Sequence, residues 1–370
     1  MDKFILGLAD QSDDEMLQEV IRSNSMEGKI QLSFGRSPSF FQSVGLLGDE
    51  SQIIVARNAE NKAIVGFGIR SIRRVFLNGH EETIGYLSGL RVAQEYRNRT
   101  LLARGYKFLK QLHEDGRASV YLASIMEDNS TAIDLLTSRK ACIPISQDLG
   151  RYCTFVYRAN KKPISLTNAG LEVRRGKADY IGDMLKFLNK HNSKRQFAPC
   201  YKEQDFFDQK LFLGLALEDI YLAFRGKRIV GMLAKWDQHA FKQIKIDGYD
   251  IKLKYLRPLV NLVAKAKGLP YLPIAGNELD FFYVSLICIS SDELGAFSVI
   301  LNKLQQDNMD RDYSLFMLGM HSGDSLIDEA KKFPHLQYNS RVHMMYWEDQ
   351  RAKAEKIDRD MVPYLELATL

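Results

Sequence analysis

Along the chain, apolar residues recur with the two-residue period of β-strands in some stretches and with the wider spacing of amphipathic helices in others. Three β-rich runs follow one another in the first half, and the turns between them carry Asn-Ala-Glu-Asn and Asn-Gly-His. Such turns join neighbouring antiparallel strands, so the pattern predicts a meander. The predicted strands of this meander cover residues 51–58, 63–77 and 82–93.

A strand and a helix are predicted before the meander, and further elements after it. The strand covers residues 4–10, and Ser12 with Glu15 has the spacing of a capping box at the start of a helix that continues to about residue 23. After the meander we expect a helix, a strand, a short helix that begins at Asn129, and a closing strand. These elements are predicted at residues 101–114, 118–125, 129–138 and 151–158.

The same order of elements repeats in the second half, after a charged segment from Asn160 to Pro163 that has the composition of a linker. An inserted helix over residues 254–267, which contains Pro258, has no counterpart in the first half. The repeated elements are predicted at residues 171–176, 178–191, 219–236, 280–289, 292–306, 313–320, 324–332 and 341–348. We therefore predict an α/β protein with a mixed sheet, built from two tandem units over residues 1–160 and 165–350, with a tail over residues 351–370 docked on the body.

Composition is that of an ordinary globular protein of two domains. The 370 residues include 51 Lys and Arg against 46 Asp and Glu, and the net charge of +5 is too small to indicate nucleic-acid binding. No apolar run is as long as a membrane span, and the N-terminus does not have the pattern of a signal peptide. The four cysteines are scattered without a Cys-x-x-Cys pair, which indicates free thiols in a reducing cytoplasm. We expect no metal, no nucleic-acid partner and no membrane partner.

The strongest local signal is segment 85–112, which has the pattern of a strand, a tight basic connection and an amphipathic helix. Arg97 and Arg99 lie in the connection. The first backbone N–H groups of the helix, from Thr100 to Ala103, have no acceptor within the helix. These amides, the positive end of the helix dipole and the two guanidinium groups together favour a bound phosphate. The alternative is a basic turn that is merely solvated.

This segment resembles the acyl-CoA-binding core of the GNAT superfamily, whose members are acyl-CoA-dependent N-acyltransferases. The family's pyrophosphate loop, Arg/Gln-x-x-Gly-x-Gly/Ala, follows a strand and a Val-x-x-x-Tyr-Arg lead-in. Here Val92 and Tyr96-Arg97 occupy the lead-in, and residues 97–102 occupy the loop.

On the next short helix, where the family has Asn, Ala and Leu or Tyr, we match Asn129, Ala132 and Leu136. The resemblance covers about residues 3–159 by element order. It implies that acetyl-CoA or another acyl-CoA is the co-substrate and that an amine, on a small molecule or a peptide, is the acceptor. It also implies that the strand backbone before the loop pairs with the thioester and the pantetheine. The cofactor-binding residues that it implies are Leu90, Arg91, Val92, Arg97, Asn98, Arg99, Thr100, Leu101, Leu102, Ala103, Asn129 and Ala132.

The segment departs from the family pattern in two respects. Thr100 and Leu102 stand at the two small-residue positions of the loop, where a Cβ limits how closely backbone amides approach a pyrophosphate. Leu136 stands where the family often has a tyrosine that protonates the departing thiolate. The candidates for the catalytic acid and base are Tyr152, on the closing strand, and Glu82, in the turn before the last meander strand. The alternative for these two is a structural hydroxyl and a solvated carboxylate.

The second half is expected not to bind CoA. Its corresponding turn, residues 289–293, carries Asp292 and Glu293, which suit a helix start but repel a pyrophosphate. Structural support, dimerisation or half of the acceptor cleft are its alternative roles, and the Lys-rich insertion 243–276 is either an acceptor lid or a solvated insertion. The sequence thus predicts an N-acyltransferase, most simply an N-acetyltransferase. A non-catalytic acyl-CoA sensor and an aminoacyl- or long-chain acyltransferase are the alternatives, and a homodimer is left open.

Overall fold

A computed structural model describes residues 3–25, 28–97, 99–137, 143–164 and 170–370. Its strands are β1 Phe4–Leu8, β2 Ile30–Gly35, β3 Glu50–Asn58, β4 Ile64–Leu77, β5 His80–Val92, β6 Tyr121–Met126, β7 Ile145–Arg158, β8 Glu172–Arg175, β9 Ile220–Arg225, β10 Arg228–Trp236, β11 Gln243–Tyr249, β12 Phe281–Ile289, β13 Leu315–His321 and β14 His335–Tyr346. Its α-helices are α1 Asp14–Ser23, α2 Phe40–Gly45, α3 Arg99–His113, α4 Ser130–Thr137, α5 Ile181–Asn192, α6 Ile251–Lys267, α7 Gly295–Asp307, α8 Ile327–Lys331 and α9 Arg351–Ala354. The predicted meander and the predicted repeat of element order are both present.

Twelve of the described strands form one mixed sheet in the order β1-β3-β4-β5-β6-β14-β7-β13-β12-β10-β9-β8. The two halves of the sheet correspond to each other about its centre. Counted inward from the edges, the strands of the first half match those of the second in the pairs β1 and β8, β3 and β9, β4 and β10, β5 and β12, and β6 and β13. The two central strands are exchanged: β14 pairs with β6 of the first half, and β7 pairs with β13 of the second. The sequence pattern predicted that segment 151–158 closes the first unit, but this segment lies in β7, beyond β14. Each half is therefore completed by the last strand of the other.

Helices cover both faces of the sheet. Alternate side chains of each strand point to opposite sides, so each strand packs against helices on both faces. On one face, α3 and α4 pack on the first half and α7 and α8 on the second. On the other face, α1, α2 and α5 form the largest core together with the last residues of the chain. In β12, for example, Phe282 packs with the α7 core and Phe281 with the α5 core. We refer to these two sides as the α3/α7 face and the α1/α5 face.

The start of the first helix differs from the prediction. The capping residue is Asp10 and not Ser12. The side chain of Asp10 accepts a hydrogen bond from the backbone N–H of Ser12 at 2.9 Å, and the side chain of Asp13 accepts one from the backbone N–H of Asp10 at 3.0 Å. The capping box moves because a 3-10 turn over residues 11–13 precedes α1 and begins the helical segment earlier. Asp13 also pairs with Arg57 at 2.6 Å, which ties this start to β3.

The insertion in the second half is a strand and a helix that also contact the first half. Its strand β11 pairs with β2, which the sequence pattern did not predict, in a separate two-stranded sheet. The helix α6 begins at a side-chain cap from Asp250, contains Pro258 and ends at Gly268, whose φ is +66°. No helix in the described ranges is both long enough and apolar enough to cross a membrane.

Candidate functional site

Strands β5 and β6 pair in parallel over a very short length and then separate. Their register is limited to Gly85 opposite Tyr121 and Tyr86 opposite Leu122. A Cβ on Gly85 would lie 2.0 Å from the ring of Tyr121, so glycine is required for this close approach. Beyond Tyr86, the carboxyl half of β5 no longer pairs with β6, which continues beside β14 instead. A gap opens in the sheet at this point, directly before α3.

Strand β5, which forms one side of this gap, contains a β-bulge. The pairing of β4 with β5 shifts register between Phe67 and Ile69, and Gly89 in the bulge has φ +66°. A Cβ on Gly89 would also lie 2.8 Å from Cδ1 of Ile69. Both observations require glycine here. A bulge of this kind turns backbone groups away from the regular strand ladder.

The second half has a bulge at the corresponding place in β12, and its own chain fills it. The pairing of β10 with β12 shifts register between Met232 and Ala234, and Leu286 has φ +52°. The N–H of Leu286 donates to Oε2 of Glu366 at 2.9 Å, and the hydroxyl of Tyr364 donates to the same oxygen at 3.1 Å. Glu366 is buried, and burial raises the pKa of its carboxyl group. At the matching position of the first half, no described side chain accepts a hydrogen bond from the N–H of Gly89.

The connection from β5 to α3 keeps the predicted basic turn close to the strand end. Arg97 is exposed, and its Nε donates to the carbonyl of Val92 at 3.1 Å. Asn98 lies outside the described residues, and so does the side chain of Arg99. The structure thus brings Arg97 together with the strand segment Leu90–Val92 and with the first turn of α3.

The first turn of α3 packs its two leucine side chains inward. Leu101 is buried against Phe4 and Val92, and Leu102 packs toward the core beneath α3. Thr100 is exposed, and Ala103 is half-buried. The two leucines therefore point into the protein, and among the described side chains of residues 100–103 Thr100 is the exposed one.

Helix α4 follows β6, and Asn129 acts as its N-terminal cap. Oδ1 of Asn129 accepts from the N–H of Ala132 at 3.1 Å. The residue six positions after Asn129 is Leu135, so the Asn-Ala-Leu match ends there and not at Leu136. Leu135 and Leu136 both pack against the core beneath α3 and α4. Neither candidate for the tyrosine position carries an acid.

The structure does not bring the two catalytic candidates to the bulge. Tyr152 is fully buried, and its hydroxyl donates to the carbonyl of Leu365 at 2.9 Å. Burial raises the pKa of Tyr152 well above its usual range. Glu82 is exposed and lies opposite Val75 at the far end of β5. Ten residues of extended strand, roughly 30 Å, separate it from the basic turn.

Sequence reasoning missed a group of basic and aromatic side chains on the α1/α5 face beside the bulge. We call it the basic cluster: Phe34, Arg36, Arg91, Lys242 and Tyr283. The guanidinium of Arg91 lies 5.8 Å from the ring centre of Phe34, and Nζ of Lys242 lies 4.9 Å from that of Tyr283. Arg36 is close enough to interact electrostatically with Arg91, Lys242 and Tyr283. No local motif identifies the cluster, because its members come from separate elements.

The cations of the basic cluster have no anionic partner in the described part of the chain. Nη1 of Arg36 donates to the carbonyl of Ser43, and Nη1 of Arg91 to that of Leu90, while Nε of Arg91 is buried without an acceptor. Nζ of Lys242 donates to the carbonyl of Ala368 at 3.4 Å. Burial lowers the pKa of Arg36 to about 10, and burial together with the charge of Arg36 lowers the pKa of Lys242 to about 7.

Near α4 and at the start of α7, the charged side chains pair with one another. An open cleft of about 510 Å³ lies beside α4, but its Arg341 pairs with Asp148 and Glu127. At the turn before α7, Asp292 pairs with Arg228 at 3.0 Å, and Glu293 pairs with Arg225. Within the described ranges, no group of three His, Cys, Asp or Glu side chains is arranged to hold a metal ion.

The overall arrangement is shared with known structures. No protein-family model and no curated protein sequence matches the chain. N-myristoyltransferase from Saccharomyces cerevisiae, solved with bound myristoyl-CoA, superposes with a TM-score of 0.60 at 12% identity, over 93% of this chain and 79% of that one. A GCN5-related N-acetyltransferase from Sphaerobacter thermophilus gives a TM-score of 0.56 at 10% identity, over 100% of this chain and 99% of that one. The predicted fold is confirmed: the chain has the tandem GNAT-like fold of these N-acyltransferases.

Proposed function

We propose that this protein transfers an acyl group from an acyl-CoA, bound by its first half, to an amine. One observation carries the proposal: the two equivalent bulges differ. Glu366 occupies the bulge of the second half at Leu286, whereas the bulge at Gly89 is next to a gap, an exposed basic turn and a helix start. These features are what a thioester and a pyrophosphate require. The paired carboxylates before α7 support the same division of roles.

In the proposed complex, the residues of the first half have separate tasks. Arg97 and the backbone N–H groups of the first turn of α3, at the positive end of the helix dipole, bind the pyrophosphate. The backbone of Leu90–Val92 aligns the pantetheine, and the N–H of Gly89 stabilises negative charge on the thioester oxygen during attack. The amine approaches from the α1/α5 face, its nitrogen bonds to the carbonyl carbon, and the C–S bond breaks. CoA leaves as the thiol, carrying the proton that the amine loses.

Acetyl-CoA is the donor that we propose first, and longer acyl-CoAs are the next to test. Of the two similar solved structures, one contains bound myristoyl-CoA and the other is an N-acetyltransferase. The acceptor class in this proposal is an amine of a small molecule or a peptide. For location we propose the cytoplasm, which the free thiols of Cys153, Cys200 and Cys288 support.

A non-catalytic acyl-CoA-binding protein is the second candidate. It is favoured by the positions of Tyr152 and Glu82, since neither approaches the bulge. In that case acyl-CoA binds, but no amine is acylated.

The test is thermal unfolding with acetyl-CoA and with myristoyl-CoA, followed by detection of released CoA thiol with a panel of amines. A ligand at 100 times its dissociation constant stabilises the fold by about 2.7 kcal/mol, which a melting curve resolves. We expect Arg97→Glu to abolish the shift and the turnover together. Lys110→Glu is the matched control, because it makes the same charge change in the last turn of the same helix. An Arg97→Glu protein that still binds both donors would exclude this site.

A further inference from the structure

The basic cluster has the composition of an anion site. Arg36 follows β2, Arg91 lies in β5, and Lys242 lies in the turn after β10, so three separate elements bring their cations together. Within the described ranges, their hydrogen bonds go to backbone carbonyls, and Nε of Arg91 has no acceptor. Burying cations without counter-charges costs free energy, which a bound anion recovers. Because Phe34, Arg36 and Arg91 are only half-buried, a small ligand reaches the cluster.

The basic cluster lies on the face from which the acceptor is proposed to approach, and not on the face proposed for the donor's phosphates. Arg91 lies opposite Phe67, whose side chain is in the core of the α1/α5 face. Cross-strand neighbours lie on the same face of a sheet, so Arg91 points to that face. The basic turn with Arg97, where the donor's phosphates are proposed to bind, precedes α3 on the opposite face.

We propose that the basic cluster binds a carboxylate of the acceptor, so that the substrates are amines that carry a carboxylate, such as amino acids. This inference rests on the proposed acyl transfer. The planar guanidinium groups of Arg36 and Arg91 suit a carboxylate geometrically. The rings of Phe34 and Tyr283 lie 5.8 Å from the guanidinium of Arg91 and 4.9 Å from Nζ of Lys242, and a flat carboxylate fits between such rings more easily than a tetrahedral anion.

Two measurements separate this inference from the proposed function. Calorimetric titration with N-acetylglycine and N-acetylglycinamide, without donor, tests the cluster alone. We expect the carboxylate compound to bind at least tenfold more tightly, and Arg36→Met to remove that difference. Arg22→Met, which removes an exposed arginine on α1, is the control. Equal binding of the two compounds overturns the inference even if acyl-CoA shifts the melting temperature.

The second measurement is turnover with glycine, glycinamide and aminomethylphosphonate as acceptors. We expect glycine to have the highest kcat/KM, and Lys242→Met to raise its KM at least tenfold with kcat nearly unchanged. A preference for glycinamide or for the phosphonate overturns the carboxylate assignment. A protein that binds N-acetylglycine as expected but shows no shift with any acyl-CoA contradicts the proposed function instead.

A second, independent observation concerns the outer face of α6. Ile251, Tyr255, Leu259 and Leu262 recur at helical spacing and are 76%, 78%, 59% and 64% exposed. The opposite side of the helix is anchored, since Asn261 exchanges hydrogen bonds with the backbone of Leu272. The polar side of α6 is hydrogen-bonded to the rest of the protein, so the apolar stripe of α6 faces solvent.

Charges around the stripe indicate what covers it. Lys252, Lys254, Lys265 and Lys267 flank the apolar residues, and residues 251–267 contain no Asp or Glu. Pairing with a second copy of α6 would bring lysines of both copies together, which is unfavourable. An apolar face bordered by lysines is typical of helices that lie in the interface of an anionic bilayer. We infer that α6 docks the protein on an anionic lipid surface, which departs from our expectation of no membrane partner.

Vesicle flotation tests this surface. We expect the full-length protein to float with vesicles of phosphatidylcholine and phosphatidylglycerol and to remain free with phosphatidylcholine alone. Leu259→Asn with Leu262→Asn should weaken binding at least tenfold, and Lys254→Glu with Lys265→Glu should do the same. Leu8→Asn is the control, since Leu8 is an exposed leucine on β1. Binding that is unchanged in both double variants, or dimerisation through α6 without lipid binding, overturns the inference.

Discussion

Lys242 is a side chain whose burial changes its chemistry at ordinary pH. It is only 7% exposed, and the charge of another cation, Arg36, acts together with burial to lower its pKa. The aromatic ring of Tyr283 and the carbonyl of Ala368 complete its surroundings. Its amine is therefore largely neutral above a pKa of about 7 in the folded protein, while in the unfolded chain it is protonated up to the ordinary value of 10.5.

We predict that Lys242→Met removes a pH-dependent destabilisation. Between pH 7 and pH 10.5 the unfolded state binds the extra proton, so the free energy of unfolding of the wild-type protein rises with pH, by up to about 1.4 kcal/mol per unit. The methionine variant should lack this slope and gain roughly 4 kcal/mol at pH 7, a gain that disappears near pH 10.5. Urea unfolding at several pH values measures the effect. Lys110→Met is the control, and identical pH profiles for Lys242→Met and the wild type would contradict the prediction.

At the scale of elements, the bulge in β5 depends on one glycine. We predict that Gly89→Ala destabilises the protein by about 1–3 kcal/mol, because φ +66° and the contact with Ile69 both disfavour a Cβ. The same substitution should prevent donor binding, since the strand must shift at the thioester site. Thermal unfolding with and without acyl-CoA measures both effects.

The matched control is Gly105→Ala in α3, where a Cβ has no neighbour within 4 Å. This substitution should stabilise the protein by about 0.5–1 kcal/mol, because alanine favours the helix. A Gly89→Ala protein that is as stable as wild type and still binds donor would show that the bulge does not need glycine.

The elements that the sequence predicted are those with strong local periodicity. The meander β3-β4-β5 and the helix α3 follow from alternation and helical spacing over many residues. Strand β2 was missed because its partner, β11, lies about two hundred residues further along the chain and gives no local signal. The basic turn at Arg97 was predicted from its own segment. The basic cluster and the contact of Glu366 with Leu286 were not, because each depends on residues that only the fold brings together.

At the scale of the whole molecule, the exchange of β7 and β14 joins the two halves into one sheet. These strands pair with each other from Ile145 opposite Tyr346 to Tyr157 opposite His335. We predict a single cooperative unfolding transition, although a chain of this length with two similar halves often unfolds in steps. Differential scanning calorimetry measures this, and the calorimetric and van't Hoff enthalpies should agree. Two separated transitions would contradict it.

The same exchange predicts how fragments behave. Residues 1–164 alone retain β6 without its neighbour β14, and they retain β7 with neither of its neighbours, since both β14 and β13 belong to the second half. The fragment thus exposes unpaired strand edges and part of the apolar core, so we expect it to lack a cooperative melt. Residues 170–370 should behave likewise, because they lack β7. Co-expression of the two fragments should restore a folded complex with the far-UV circular dichroism of the intact chain, since every strand then finds its partner. A fragment 1–164 with its own sharp transition would show instead that β7 can fold back beside β6, which is the unexchanged arrangement that the sequence pattern predicted.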